Sequence, residues 1–140
     1  MSKELSPSEL RQQIRSGEHS GNTSGYCAGY VQCNLVILPA DWAGDFLAFC
    51  KANPKPCPLI AVSEPGEFAM PKLGADIDIR TDIASYRIFE QGQLSGEVND
   101  ISDLWRDDLV VFLLGCSFSF GEALIADGLE VRNISEGANV

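Results

Sequence analysis

The sequence predicts an α/β fold: a mixed, partly parallel sheet flanked by helices, forming an incomplete portion of a larger α/β domain. Three observations predict it. An alternating run at 30–38, an amphipathic pattern at 42–52 and a short apolar run at 59–63 follow one another as strand, helix and strand do in a βαβ unit. A second, long apolar run, 109–114, leads into Gly115-Cys116-Ser117-Phe118-Ser119-Phe120 at a junction between two ordered elements. After Ile134 the residues up to Val140 supply no closing element.

Each element has a local cause. Ser6-Pro7-Ser8-Glu9 is a capping box with Pro at the first helical position, so a helix is expected over 7–16, ended by Gly17. In the strand expected over Tyr30–Leu38, Val31, Cys33, Leu35 and Ile37 share one face, while Gln32 and Asn34 share the other. Pro39 is expected to stop it. Asp41 is the expected N-cap of a helix over 42–52, with Trp42, Phe46, Phe49 and Cys50 at helical spacing. Asn53-Pro54-Lys55-Pro56-Cys57-Pro58 reads as a stiff, extended connection. Leu59–Ser63 reads as a short buried strand, and 64–75 as a loop.

Residues 76–82 alternate charged and apolar, as a half-buried strand does. Tyr86–Glu90 and Leu94–Val98 flank Gln91-Gly92-Gln93, which predicts a hairpin. Asn99 or Asp100 can cap a helix starting at Ile101, with Leu104, Trp105, Leu109, Phe112 and Leu113 at helical spacing. Val110-Val111-Phe112 fits a strand as well; helix is the favoured reading. A helix over 122–127 ended by Gly128, and a last strand over 130–134, complete the expectation.

The 140 residues fit one domain, 1–140, long enough to bury a core without covalent staples. A net charge of −10 argues against nucleic acid and anionic membrane as partners, because both demand clustered Lys and Arg. No apolar run reaches the length of a membrane span. Five cysteines, an odd number with no leader pattern at Met1-Ser2-Lys3-Glu4, read as reduced thiols in the cytoplasm. Their spacing does not suit structural zinc, and the single histidine, His19, lies in a loop. Cys33 and Cys50 read as buried. No metal or cofactor is expected.

Three groups carry candidate chemistry. Gly115-Cys116-Ser117-Phe118-Ser119-Phe120 sits where a helix-ending Gly meets a helix start. It is either a cap with core aromatics or a turn whose N–H groups, with Ser117 and Ser119, hold an anion and stabilise a Cys116 thiolate. Asp76, Asp78, Arg80 and Asp82 share one strand face. They form either an exposed salt-bridge row or a cleft in which Arg80 grips a carboxylate while Asp78 or Asp82 acts as base. Gln32 and Asn34 are amides on a strand that reads as buried, bonding either a loop or a ligand. Lys55, fixed between two prolines, is either solvated or a draw for an acid group.

Taken in order, Gly29-Tyr30-Val31-Gln32-Cys33-Asn34-Leu35, Asn53-Pro54-Lys55-Pro56-Cys57-Pro58, Asp78-Ile79-Arg80-Thr81-Asp82 with Tyr86-Arg87, and the Gly115–Phe120 motif resemble a hydro-lyase family that includes the D-glutamate cyclase domain of animal mitochondria. The resemblance spans nearly the whole chain and the first half of a typical member. Gly121 departs from it, since Glu commonly stands there. The resemblance implies a reversible dehydration or cyclisation of a small amino or carboxylic acid, of the D-glutamate to 5-oxo-D-proline type. On that reading Asp78, Asp82 and Cys116 are the catalytic candidates. Gln32, Asn34, Lys55, Arg80, Ser117 and Ser119 are the substrate-binding ones. The partner is a small carboxylate, with a second copy or a complementing chain as the macromolecular one. The alternative is a non-catalytic carboxylate-binding module, or a remnant that needs a second chain.

Overall fold

A computed structural model describes residues 5–116 and 127–128. Helix α1, Pro7–Ser16, forms as its capping box dictates: Ser6 Oγ accepts the Glu9 N–H, the Glu9 carboxylate accepts the Ser6 N–H, and Gly17 closes the helix at φ +81°. Strand β1 is Cys33–Pro39, shorter at its start than the alternation suggested and including the proline. Helix α2, Ala40–Ala52, follows at once. Its first N–H is not capped by Asp41; the Ala40 N–H donates to the Asp108 carbonyl at 2.7 Å instead.

The Pro-rich segment is a compact turn rather than an extended link, because the Cys57 N–H reaches back to the Asn53 carbonyl at 3.0 Å. Strand β2 is Leu59–Val62. The hairpin forms as expected from β3, Tyr86–Glu90, and β4, Gln93–Val98, with Gln91 and Gly92 both at positive φ. That is the turn geometry whose twist matches a two-residue hairpin.

The favoured helix over 101–114 does not form. Only one turn forms, Ser102–Leu104, with Ile101 at its N-cap and the Ser102 N–H donating to the Asp100 carboxylate, and Leu109–Gly115 is strand β5. β5 lies between β1 and β2 and pairs antiparallel with both. Its two faces and two edges are thus all occupied, which explains an unbroken apolar run of β-branched and aromatic residues. The same insertion corrects the parallel pairing. β1 and β2 both oppose β5, so they run in the same direction without being neighbours, and among the described residues every strand pair is antiparallel.

Residues 76–82 are not a strand. Thr81 and Asp82 N–H groups both donate to the Asp78 carbonyl, making a turn. Ile79 is buried there and packs with Met70 against Val111 and Leu113. The opposite face of β5 is closed by α2, where the Phe46 ring meets Phe112 edge-on at 4.9 Å. The fold is therefore layered: α2, then the three-stranded sheet, then the 68–82 segment, with α1 tied outside it. No helix among the described residues is long and apolar enough to cross a membrane.

Candidate functional site

The 76–82 turn and α1 build one cluster of charges. Arg11 and Arg15 stand four residues apart and so share a face of α1. Arg11 Nη2 donates to Asp76 Oδ1 at 2.6 Å, and the Ser8 hydroxyl donates to Asp76 Oδ2 at 3.1 Å. These bonds, the Arg11 one foremost, draw the Asp76 carboxyl from its ordinary 3.8 to a pKa of about 2. Arg15 donates from Nε and Nη2 to the two oxygens of Asp82, the second bond at 2.7 Å, and the pair pushes the Arg15 pKa up. The Asp82 carboxylate also accepts the Asp78 N–H at 2.8 Å and the Thr81 hydroxyl at 2.9 Å.

Arg80 is held differently. Its Nε and Nη2 grip the two oxygens of Asp78 at 3.0 and 2.8 Å, and its Cζ lies 3.6 Å from the centre of the Phe68 ring. The Arg80 bonds hold the Asp78 carboxyl below the usual range, so it is a carboxylate at neutral pH. The Arg80 side chain is 29% exposed and Asp78 is 28% exposed, whereas the Asp82 side chain is 1% exposed. A guanidinium carries five N–H donors, and two bonds to Asp78 do not exhaust them. The arrangement is a stacked, partly accessible cation with a carboxylate beside it. Such a pair can bind an incoming carboxylate and accept a proton near it.

A second group gathers at one end of the sheet. Cys33 opposes Gly115 in register, and the Gly115 N–H donates to the Pro58 carbonyl at 2.8 Å. The starts of β1 and β2 and the end of β5 therefore meet there. The Cys116 thiol donates to the Gln32 carbonyl at 3.4 Å. The Gln32 side chain takes the Thr23 hydroxyl at 3.0 Å and donates to the Tyr26 carbonyl at 3.4 Å. That amide thus bonds a loop. Asn34 opposes Leu114 and is exposed, and Lys55 is exposed on the turn that precedes Pro58. Cys33 is exposed here, contrary to expectation, because it sits at the open end of the sheet; Cys50 is buried.

The structure thus brings Asp78, Arg80 and Asp82 together in one turn, and Gln32, Asn34 and Cys116 together at the sheet end, with Lys55 on the turn leading into β2. Leu113 links the two groups, being packed with Ile79 two positions before Gly115. Gly115 ends a strand rather than a helix. Ser117 and Ser119, the 122–127 helix and the 130–134 strand lie outside the described residues. Arg11 and Arg15 escaped the sequence reading, although their i, i+4 spacing opposite an acidic ladder was the available signal. Among the described residues no cluster of His, Cys, Asp and Glu is arranged to hold a metal ion. A shallow hollow at the hairpin tip, lined by Glu90, Gln91, Gln93, Leu94 and Ser95, contains none of the candidates.

Comparison with known proteins adds the rest. The family model described as D-glutamate cyclase matches residues 110–140. A protein of Bordetella petrii is 61% identical over 130 residues, covering 93% of this chain and 49% of its own length. One of Aliivibrio salmonicida is 56% identical over 140 residues, covering 100% of this chain and 54% of its own. One of Jannaschia is 59% identical over 131 residues, covering 94% and 49%. Each of the three carries the name "Putative hydro-lyase". The chain spans about half the length of the curated relatives it matches.

Proposed function

The chain belongs to the D-glutamate cyclase and hydro-lyase family, and on that premise we propose that it contributes the carboxylate-binding half of a site for reversible dehydration of a small amino acid, of the D-glutamate to 5-oxo-D-proline type. The observation that carries the reading is the match over the whole chain to a relative named as a hydro-lyase. The Arg80 guanidinium supports it, being planar, stacked and partly exposed.

In the cyclising direction the substrate amine attacks the side-chain carboxyl carbon. A C–N bond forms, a C–O bond breaks, and water leaves with the protons lost by the ammonium. Arg80 holds a substrate carboxylate through its remaining donors. Asp78, kept ionised by Arg80, takes the ammonium proton. Asp82, closed in by Arg15, serves the site by fixing the turn that presents both. Cys116, whose thiol is a hydrogen-bond donor at the sheet end, belongs to a second anion-holding wall, to which Asn34 and Lys55 contribute polar and positive groups. The acid that protonates the leaving oxygen comes from the polypeptide that the relatives carry in addition.

The test is direct. This chain, and a version extended to the relatives' full length, are incubated separately with D-glutamate and with 5-oxo-D-proline, and interconversion is followed by chiral chromatography. Turnover confined to the longer protein supports the reading. No turnover in either refutes it, and saturable binding without turnover in both favours a carboxylate-binding module instead.

A further inference from the structure

The sheet is covered unevenly. On the Phe112 face, α2 lies over β1 and β5. β2 exposes two apolar side chains: Val62, which opposes Phe112 in register, and Ile60, which stands at the register shift between Leu59 and Ala61. Ile60 is 42% and Val62 40% exposed, and on α2 Phe49 is 55% exposed while stacking on Phe46. Ala61 packs with the core. Among the described residues β2 pairs only with β5, so its outer edge is also open.

We propose that β2, with its exposed side chains and open edge, is an internal interface of the full-length fold, covered by the additional polypeptide that the relatives carry. Two observations point to that occupant. The relatives are about twice the length of this chain, so polypeptide comparable to everything described here must find a place. β5 ends beside the exposed side chains of β2: at Gly115, a Cβ would stand 3.6 Å from Ile60 Cδ1 and 3.3 Å from Pro58 Cγ. The geometry also fixes the form of the cover. Packed helices lie about 8–10 Å apart and strands about 4.8 Å apart, so a helix beside α2 sits about two strands further along. It would cover β2 together with a strand added on the open edge. An apolar edge strand left open invites association, so a fold that keeps one has a cover for it. This inference does not depend on the reaction assigned to the family.

The experiment compares this chain with the full-length Aliivibrio salmonicida relative, which aligns with all 140 residues. Hydrogen exchange is read for amides 59–62 and for the aligned amides of the relative, each against the amides of β5. The expected result is exchange at least tenfold faster in this chain. Ile60→Lys and Val62→Lys are then made in this chain and at the aligned positions of the relative. They are expected to leave the thermal midpoint of this chain within about 3 °C, as exposed substitutions do, and to lower that of the relative well beyond this. Equal protection of β2 in both proteins, or equal tolerance of the lysines, overturns the proposal. So does a concentration-dependent dimer of this chain that Ile60→Lys abolishes, which would make the occupant a second copy.

Discussion

Arg15 of α1 closes both oxygens of Asp82, 67 positions away, inside a side-chain environment that leaves the Asp82 carboxylate 1% exposed. A carboxylate buried this far is tolerated because Arg15, the Asp78 N–H and the Thr81 hydroxyl all point at it. Arg15→Ala should therefore cost more than an ordinary helix-surface change, about 2–3 kcal/mol in urea unfolding. Arg15→Lys should recover only part of it, since an ammonium cannot present the two-pronged fork. A loss below 0.5 kcal/mol, the level about expected for an ordinary surface site, would mean that α1 is held by Leu10 rather than by this pair.

Acid should loosen the same joint. The Asp76 pKa is lowered in the fold, so the unfolded chain binds the proton more readily, and stability rises with pH across this range. The contribution of the Arg11–Asp76 pair is complete above the ordinary carboxyl value of 3.8 and is lost as pH falls towards about 2. Wild type should thus lose stability on acidification from pH 5 to 2, by about as much as its native carboxylates titrate. Asp76→Asn should show a flatter profile in the same window. Parallel profiles for the two proteins would remove Asp76 from the account.

Two glycines separate backbone conformation from crowding. Gly17 and Gly66 both have φ +81°, but a Cβ at Gly17 meets nothing within 4 Å, whereas one at Gly66 would stand 2.8 Å from the Asp107 carbonyl oxygen. Gly66 also donates to the Leu109 carbonyl and accepts from the Trp105 indole, pinning the loop to the start of β5. Gly17→Ala should cost about 1 kcal/mol, the left-handed penalty alone. Gly66→Ala should cost at least twice that in the same denaturation series, and equal costs would show that the loop yields freely.

If Arg80 holds a substrate carboxylate, Arg80→Lys in the extended, active protein should raise KM for D-glutamate by about tenfold or more, the scale of one charged hydrogen bond. Stability should change little by comparison, because Arg80 and Asp78 are both partly exposed and such pairs contribute about 0–1 kcal/mol. An unchanged KM with an unchanged kcat would take Arg80 out of the site.

What the sequence disclosed was local. The capping box at Ser6–Glu9, the hairpin around Gln91-Gly92 and the helical run of α2 are each set by neighbours within a few residues, and each element formed, although α2 starts at Ala40 and leaves Trp42 and Phe49 of its expected apolar set exposed. Residues 109–115 misled because an apolar run buried on both faces carries no period: Leu109, Phe112 and Leu113 satisfy helical spacing by accident, and only pairing with β1 and β2 decides for strand. The order β1-β5-β2 rests on pairs of residues 50 to 82 positions apart, which no local pattern carries. The acidic ladder was legible as a set of charges but not as a turn. Its partners Arg11 and Arg15 lie on another element, and the alternation that suggested a strand came from Ile77 and Ile79 reaching into the core.

The hairpin offers the cleanest correction to a natural residue. Gln91 adopts φ +51°, the left-handed region that costs a side chain about 1 kcal/mol and that Asn tolerates best after glycine. β3 and β4 pair chiefly with each other, so the strain at this turn is felt by the hairpin rather than by the sheet core. Gln91→Asn creates the Asn-Gly pair that this turn prefers, and it should slow amide exchange at Ile88 and Leu94 several-fold while leaving Val111 and Phe112 unchanged. A global gain that also slowed the β5 amides would show instead that the hairpin unfolds together with the core, through Tyr86, whose buried hydroxyl bonds the Ile79 carbonyl.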